Sequence, residues 1–108
     1  MEVTLLGTGC PQAHPQRLGP ANLVQAEGFS FLVDCGSGVT QRLVGAGSSG
    51  RLLDAVLLTH LHSDHVIDLY QLIVSSWHQG RDRPQRILGP AGTPALRRAD
   101  DGALARGA

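Results

Sequence analysis

Thr59-His60-Leu61-His62-Ser63-Asp64-His65 puts three imidazoles and a carboxylate into six consecutive positions, and what flanks this stretch decides the architecture. Upstream, the run from Asp54 to Thr59 is almost continuously apolar between its ends, the pattern of a strand buried on both faces. Downstream, Val66, Ile67, Tyr70, Ile73, Val74 and Trp77 recur with a period near 3.6. That periodicity predicts an amphipathic helix of about four turns ending near Gly80. A buried strand feeding a helix through a turn rich in His and Asp belongs to an α/β fold.

Working outward, Val3, Leu5 and Leu6 open a first strand that ends in Gly7-Thr8-Gly9, and the stretch from Pro11 to Pro20 is punctuated too heavily to continue it. Asn22 to Ala26 and Phe29 to Val33 read as an antiparallel pair joined by Glu27-Gly28, an acid–glycine pair suited to a tight hairpin turn. Gly36-Ser37-Gly38 then leads into a short helix carrying Val39, Leu43 and Val44, which Gly45 and Gly47 stop. Gly45 to Gly50 reads as a flexible connection, and Arg86 to Leu88 as one more strand before Gly89-Pro90. Past Pro94 only Leu96 and Leu104 could anchor a helix, so residues 1–94 form the expected domain and 95–108 a weak helix or frayed tail. No internal repeat interrupts this organisation.

Composition narrows the function classes. The chain has 108 residues, 42% hydrophobic and 4% aromatic, enough for one small core. Nine basic residues, all Arg, balance nine acidic ones, so there is no basic footprint of the kind that grips a phosphate backbone. No apolar run approaches the ~20 residues a bilayer demands, and the N-terminus lacks a signal peptide's basic start, which gives the expectation of a soluble, cytoplasmic chain. Cys10 and Cys35 could make at most one bridge and belong to no CxxC pair, which excludes a disulfide framework and a thiolate zinc knuckle.

The chemistry therefore rests on nitrogen and oxygen donors. Imidazole and carboxylate are the ligands that Zn²⁺ and related divalent ions prefer in catalytic sites. His60 and His62, two apart on extended backbone, point to one side and can chelate one ion. Asp64 and His65 lie on the turn that starts the helix and can address a second. Asp64 also sits where the helix dipole favours negative charge. Each residue has a plainer reading: Ser63 or Asp64 as a simple N-cap, His78 as a residue complementing the helix C-terminus, and His14 as part of a surface loop or the mouth of a substrate site.

The segment His60-Leu-His62-Ser-Asp64-His65 matches the HxHxDH motif and so resembles the metallo-β-lactamase-fold hydrolases. Leu6-Gly7-Thr8-Gly9 and Leu32-Val33-Asp34-Cys35-Gly36 resemble phrases of the ribonuclease Z branch. Pro11, Arg17-Leu18-Gly19-Pro20, the Thr59-to-His65 core, Trp77 and Leu88-Gly89-Pro90-Ala91-Gly92-Thr93 are similar to its arylsulfatase-like subgroup. The resemblance spans about residues 3 to 94 and implies an αββα sandwich, of which this chain would be the N-terminal half: a mixed sheet flanked by helices. It further implies two ions, with His60 and His62 on the first and Asp64 and His65 on the second. Asp34 would orient a ligating imidazole or, in the plainer reading, bind nearby backbone at a strand end. The family's further downstream ligands find no match here, since no His follows His78. The expectation is a truncated chain that binds metal weakly alone.

What the resemblance implies is a hydrolase using water activated by two Zn²⁺ ions, with Mn²⁺ or Fe²⁺ as substitutes, and with Asp64 taking the proton of the attacking water. Its substrates would be phosphate or sulfate esters, either small molecules or a transfer-RNA precursor cut at its 3′ end. Thioester, lactone or lactam hydrolysis is the alternative within the same family, and an inactive remnant that only binds metal is the alternative outside catalysis. If half a sandwich is missing, the faces carrying Val56, Leu58, Ile73 and Val74 are expected to lack cover and to promote dimerisation.

Overall fold

The computed structural model of the chain describes residues 1–9, 12 and 17–94. Cys10, Pro11, His14 and the whole expected tail 95–108 lie outside the described residues. Five strands form one mixed sheet in the order β1-β2-β3-β4-β5. β1 (Glu2–Gly7), β2 (Ala21–Ala26) and β3 (Phe29–Val33) make an antiparallel meander. β4 (Ala55–Leu57) and β5 (Ile87–Leu88) add in parallel. The β2–β3 hairpin closes through Glu27 and Gly28, both at positive φ (51° and 84°), the backbone of a type I′ turn that matches strand twist.

Parallel neighbours require crossovers, and here both carry helices. The first holds α1 (Val39–Gly45) and a 3₁₀ turn at Gly50–Leu52; the second holds α2 (Ser63–Val66) and α3 (Leu69–His78). Because the sheet grows in one direction and crossovers keep one hand, both helical layers fall on the same face. One core results: Leu6, Leu23, Leu32, Val56 and Ile87 from the sheet meet Val39, Leu43, Leu69, Leu72 and Ile73 from the helices.

Both longer helices end as glycines dictate. After α3, Gly80 at φ 95° lets its own N–H reach Trp77 and that of Arg81 reach Ser76. After α1, Gly47 at φ 83° arranges the same pair of bonds, from Gly47 to Val44 and from Ser48 to Leu43. Each is a Schellman closure.

Two expectations are corrected. The continuous four-turn helix is two helices broken at Ile67-Asp68. The carbonyl of His65, which would accept from residue 69 in an unbroken helix, accepts instead from Cys35 N–H (2.7 Å), and Asp68 N–H donates to Cys35 O (3.1 Å). Tertiary bonds to the β3–α1 turn thus interrupt the helical ladder, and α3 buries Leu69, Leu72, Ile73 and Ser76 while Ile67, Tyr70 and Trp77 are exposed. The second correction concerns cover. Val56, Leu58 and Ile73 are buried and Val74 is half-buried, because they lie on or under the helical side. The bare apolar face is the opposite one, where Val3 (53%), Leu5 (67%), Phe29 (55%) and Leu88 (48%) are exposed. For the same reason β4 is not shielded equally on both sides: Val56 is fully covered, and Leu57 on the open face only half so.

Candidate metal centre

The histidine stretch leaves the carboxyl end of β4, beside the carboxyl end of β3 where Asp34 sits, and the carboxyl ends of parallel strands are where open α/β sheets place their ligands. Asp34 is held at φ 65°, an unusual backbone for a residue with a side chain, and is buried. Residues kept in this region cluster at functional sites. Its N–H donates to Leu57 O (2.8 Å), which registers the turn against β4.

Its carboxylate gathers three donors. Oδ1 accepts from Thr59 N–H (2.9 Å), Oδ2 accepts from Thr59 Oγ1 (2.8 Å), and Oδ2 also lies 2.8 Å from His65 Nδ1. This buried acid therefore fixes both ends of the histidine stretch, and His65 is one imidazole it orients. A backbone contact is present too, from Thr59 N–H.

The other side chains close in around this anchor. The His60 and His65 ring centroids are 4.0 Å apart and those of His60 and His62 4.6 Å, the latter nearly perpendicular. Asp64 Oδ2 lies 3.5 Å from His65 Nε2. His62, in extended backbone (φ −62°, ψ 144°), occupies the N-cap position of α2 and makes no side-chain cap. Ser63 and Asp64 fall inside the first turn of that helix, so neither is an N-cap. His78 ends α3 and is exposed, far along the chain from the cluster.

Chemically, the set fits a divalent ion in donor type: imidazoles whose Nδ1 is occupied by Asp34 or Thr59, plus one carboxylate. In number it falls short. Among the described residues no three His, Cys, Asp or Glu side chains are arranged to share one ion. Thr59, which heads the histidine stretch but was given no role of its own in the sequence, contacts both Asp34 and His60 Nδ1 (2.9 Å). Its place directly ahead of the first His was the only available signal.

Two glycine-containing turns meet beside Asp34. Gly36 N–H donates to Pro20 O and Gly19 N–H to Ser37 O. A Cβ on Gly19 would stand 2.2 Å from Ser37 N, and one on Gly36 would stand 2.5 Å from Gly19 C. The phrases around residues 17–20 and 32–36, distant in sequence, are thus two halves of one close backbone contact.

Comparison with known proteins agrees with this geometry. The family model described as Anti-Pycsar protein Apyc1 matches residues 1–97. A ribonuclease Z of Mycobacterium marinum is 49% identical over 96 residues, covering 86% of this chain and 34% of its own. A ribonuclease Z of Mycobacterium sp. (strain KMS) is 52% identical over 95 residues, covering 86% and 33%. The chain thus spans about a third of the length of the curated relatives it matches. Among solved structures, the human tRNase Z, short form, superposes with a TM-score of 0.83 at 31% identity, over 96% of this chain and 40% of that one. The metallo-β-lactamase fold protein YhfI of Bacillus subtilis superposes at 0.73 and 32% identity, over 83% and 37%.

Proposed function

The chain belongs to the Apyc1 family, as a ribonuclease Z-like protein of the metallo-β-lactamase fold, and from that premise we propose that its histidine corner is half of a two-metal centre for phosphodiester hydrolysis. His60 and His62 would hold one ion, and Asp64 and His65 the other. Zn²⁺ is the ion of choice for these donors, with Mn²⁺ and Fe²⁺ as substitutes. Ions bound there would lower the pKa of water toward ~7 and polarise the phosphoryl oxygen. The chain's own part is to orient the donors through Asp34 and to receive a proton at the Asp64 carboxylate.

The observation that carries this reading is the Asp34 carboxylate 2.8 Å from His65 Nδ1, since metal-bound imidazoles characteristically donate their second nitrogen to such an acceptor. The relatives' names, ribonuclease Z and tRNase Z, support phosphodiesters over sulfate esters, thioesters, lactones or lactams as the proposed substrate class. A 3′-extended transfer-RNA precursor is the first macromolecular substrate to offer. Because no three such side chains among the described residues are arranged to share one ion, the chain alone should hold metal weakly, and metal uptake without turnover is the second reading this observation favours.

The test is elemental analysis after Zn²⁺ or Mn²⁺ loading, followed by assays on bis-(p-nitrophenyl) phosphate, an aryl sulfate and the precursor RNA. Metal uptake with metal-dependent phosphodiester cleavage supports the first reading, and uptake without cleavage the second. A chain that takes up neither metal overturns both, and preferential aryl sulfate cleavage moves the assignment to the arylsulfatase-like subgroup.

A further inference from the structure

We propose that Thr59 is a positioning residue that carries the influence of Asp34 to His60, so that one buried carboxylate sets the tautomers of two imidazoles. The argument is one of proton counting. Thr59 Oγ1 has a single hydrogen, and its neighbours are Asp34 Oδ2 at 2.8 Å, Asp34 Oδ1 at 3.1 Å and His60 Nδ1 at 2.9 Å. A carboxylate only accepts, so the hydroxyl proton goes to Asp34. Oγ1 is then left with lone pairs alone toward His60, and the ring must donate: Nδ1 carries the hydrogen and Nε2 the lone pair. The same logic applies directly at His65, whose Nδ1 faces Asp34 Oδ2.

Two rings 4.0 Å apart thus both carry a hydrogen on Nδ1, and Nε2 of each is the nitrogen left for an ion. By the proposed function, on which this inference rests, His60 serves one ion and His65 the other, so Asp34 prepares both halves of the centre, His65 by direct contact and His60 through Thr59. Thr59 also donates its backbone N–H to Asp34 Oδ1 at 2.9 Å, a bond that survives any substitution short of Pro. The hydroxyl can therefore be removed while the turn stays anchored.

The experiment uses ¹⁵N-histidine-labelled chain, first without metal at a pH where the imidazoles are neutral, then titrated with Zn²⁺ against a chromophoric chelator. Wild-type His60 is expected as the Nδ1–H tautomer by its ring ¹⁵N shifts. Thr59→Ser should keep both the tautomer and the affinity. Thr59→Val, equal in size but without the hydroxyl, should lose the preference and weaken Zn²⁺ binding roughly 10- to 100-fold, the usual range for a supporting contact to a ligand. A wild-type His60 found as the Nε2–H tautomer overturns the inference without any variant. So does an equal loss in the Ser and Val variants, or none in Val. If wild-type chain takes up no Zn²⁺ while His60 still shows the Nδ1–H form, the metal reading fails and the Thr59 relay stands.

Discussion

Asp34 shows how much a single side chain can organise when its backbone is pinned in an uncommon conformation. Three donors converge on it, two from Thr59 and one from His65, so its neutral isostere should do more than delete a charge. Asp34→Asn would place an amide donor next to His65 Nδ1 and favour the opposite tautomer, aiming Nε2–H where a lone pair is needed. Zn²⁺ affinity is expected to fall about 10- to 100-fold, measured by chelator competition, with thermal stability lowered by roughly 1–3 kcal/mol from the unsatisfied buried contacts. Asp64→Ala should abolish turnover even with metal in excess; an active variant would refute both its proposed roles. Beside Asp34, Gly36→Ala has no room, since the new methyl would meet backbone rather than a flexible side chain. That the residues from His60 to His65 gather at one corner was legible in the sequence from their type and spacing, whereas Asp34 was pointed to only by the family resemblance. Thr59 was legible from neither, because a threonine before a histidine declares nothing until its three partners are in place.

Elements were legible where punctuation is local. The hairpin at Glu27-Gly28, the glycine closures of both longer helices and all five strands follow from short-range signals. The break between α2 and α3 does not, because its cause lies thirty-odd residues away in the β3–α1 turn. The same junction serves a second element: Asp68 Oδ2 accepts from Thr40 N–H at 2.7 Å, capping α1 from outside. Asp68→Ala should therefore destabilise by about 1 kcal/mol, the usual worth of a lost cap, visible as a lower urea midpoint with unchanged slope.

Arg81 plays the matching part at the other end of α3. Its buried guanidinium donates to the carbonyls of Gly50 (3.1 Å), Arg51 (3.1 Å) and Leu53 (2.8 Å) on the approach to β4, and to those of Arg83 and Pro84. Burial, its largest influence, pulls its pKa below the ordinary arginine value, with the nearby Arg83 charge acting in the same direction. Arg81→Ala should cost roughly 2–3 kcal/mol through the acceptors it orphans, read from the same denaturation curves.

At the scale of the whole molecule, the fold is a sheet with helices on one side only. The sequence revealed the helical side through its periodicity but not which face of the sheet that side would cover, since an apolar strand reads alike from either direction. Among the described residues no helix is long and apolar enough to cross a membrane. Val3, Leu5, Phe29 and Leu88 stand on the open face, with Phe29 and Phe31 stacked at 6.3 Å beside them. Apolar patches of this kind promote association, so the isolated chain should sediment as a dimer or larger species. Leu5→Thr combined with Phe29→Thr should shift it toward monomer, whereas a wild-type chain that stays monomeric at high concentration would contradict the expectation.

The sequence distance between Asp34 and its partners also imposes an order of events. The β1–β2–β3 meander closes through near neighbours, whereas the contacts of Asp34 with Thr59 and His65 span 25 and 31 residues, and loops of that length cost more entropy to close. The residues of the meander are also polymerised before any imidazole of the cluster. The histidine corner is thus a late arrival, mounted on a platform already laid down by the first third of the chain.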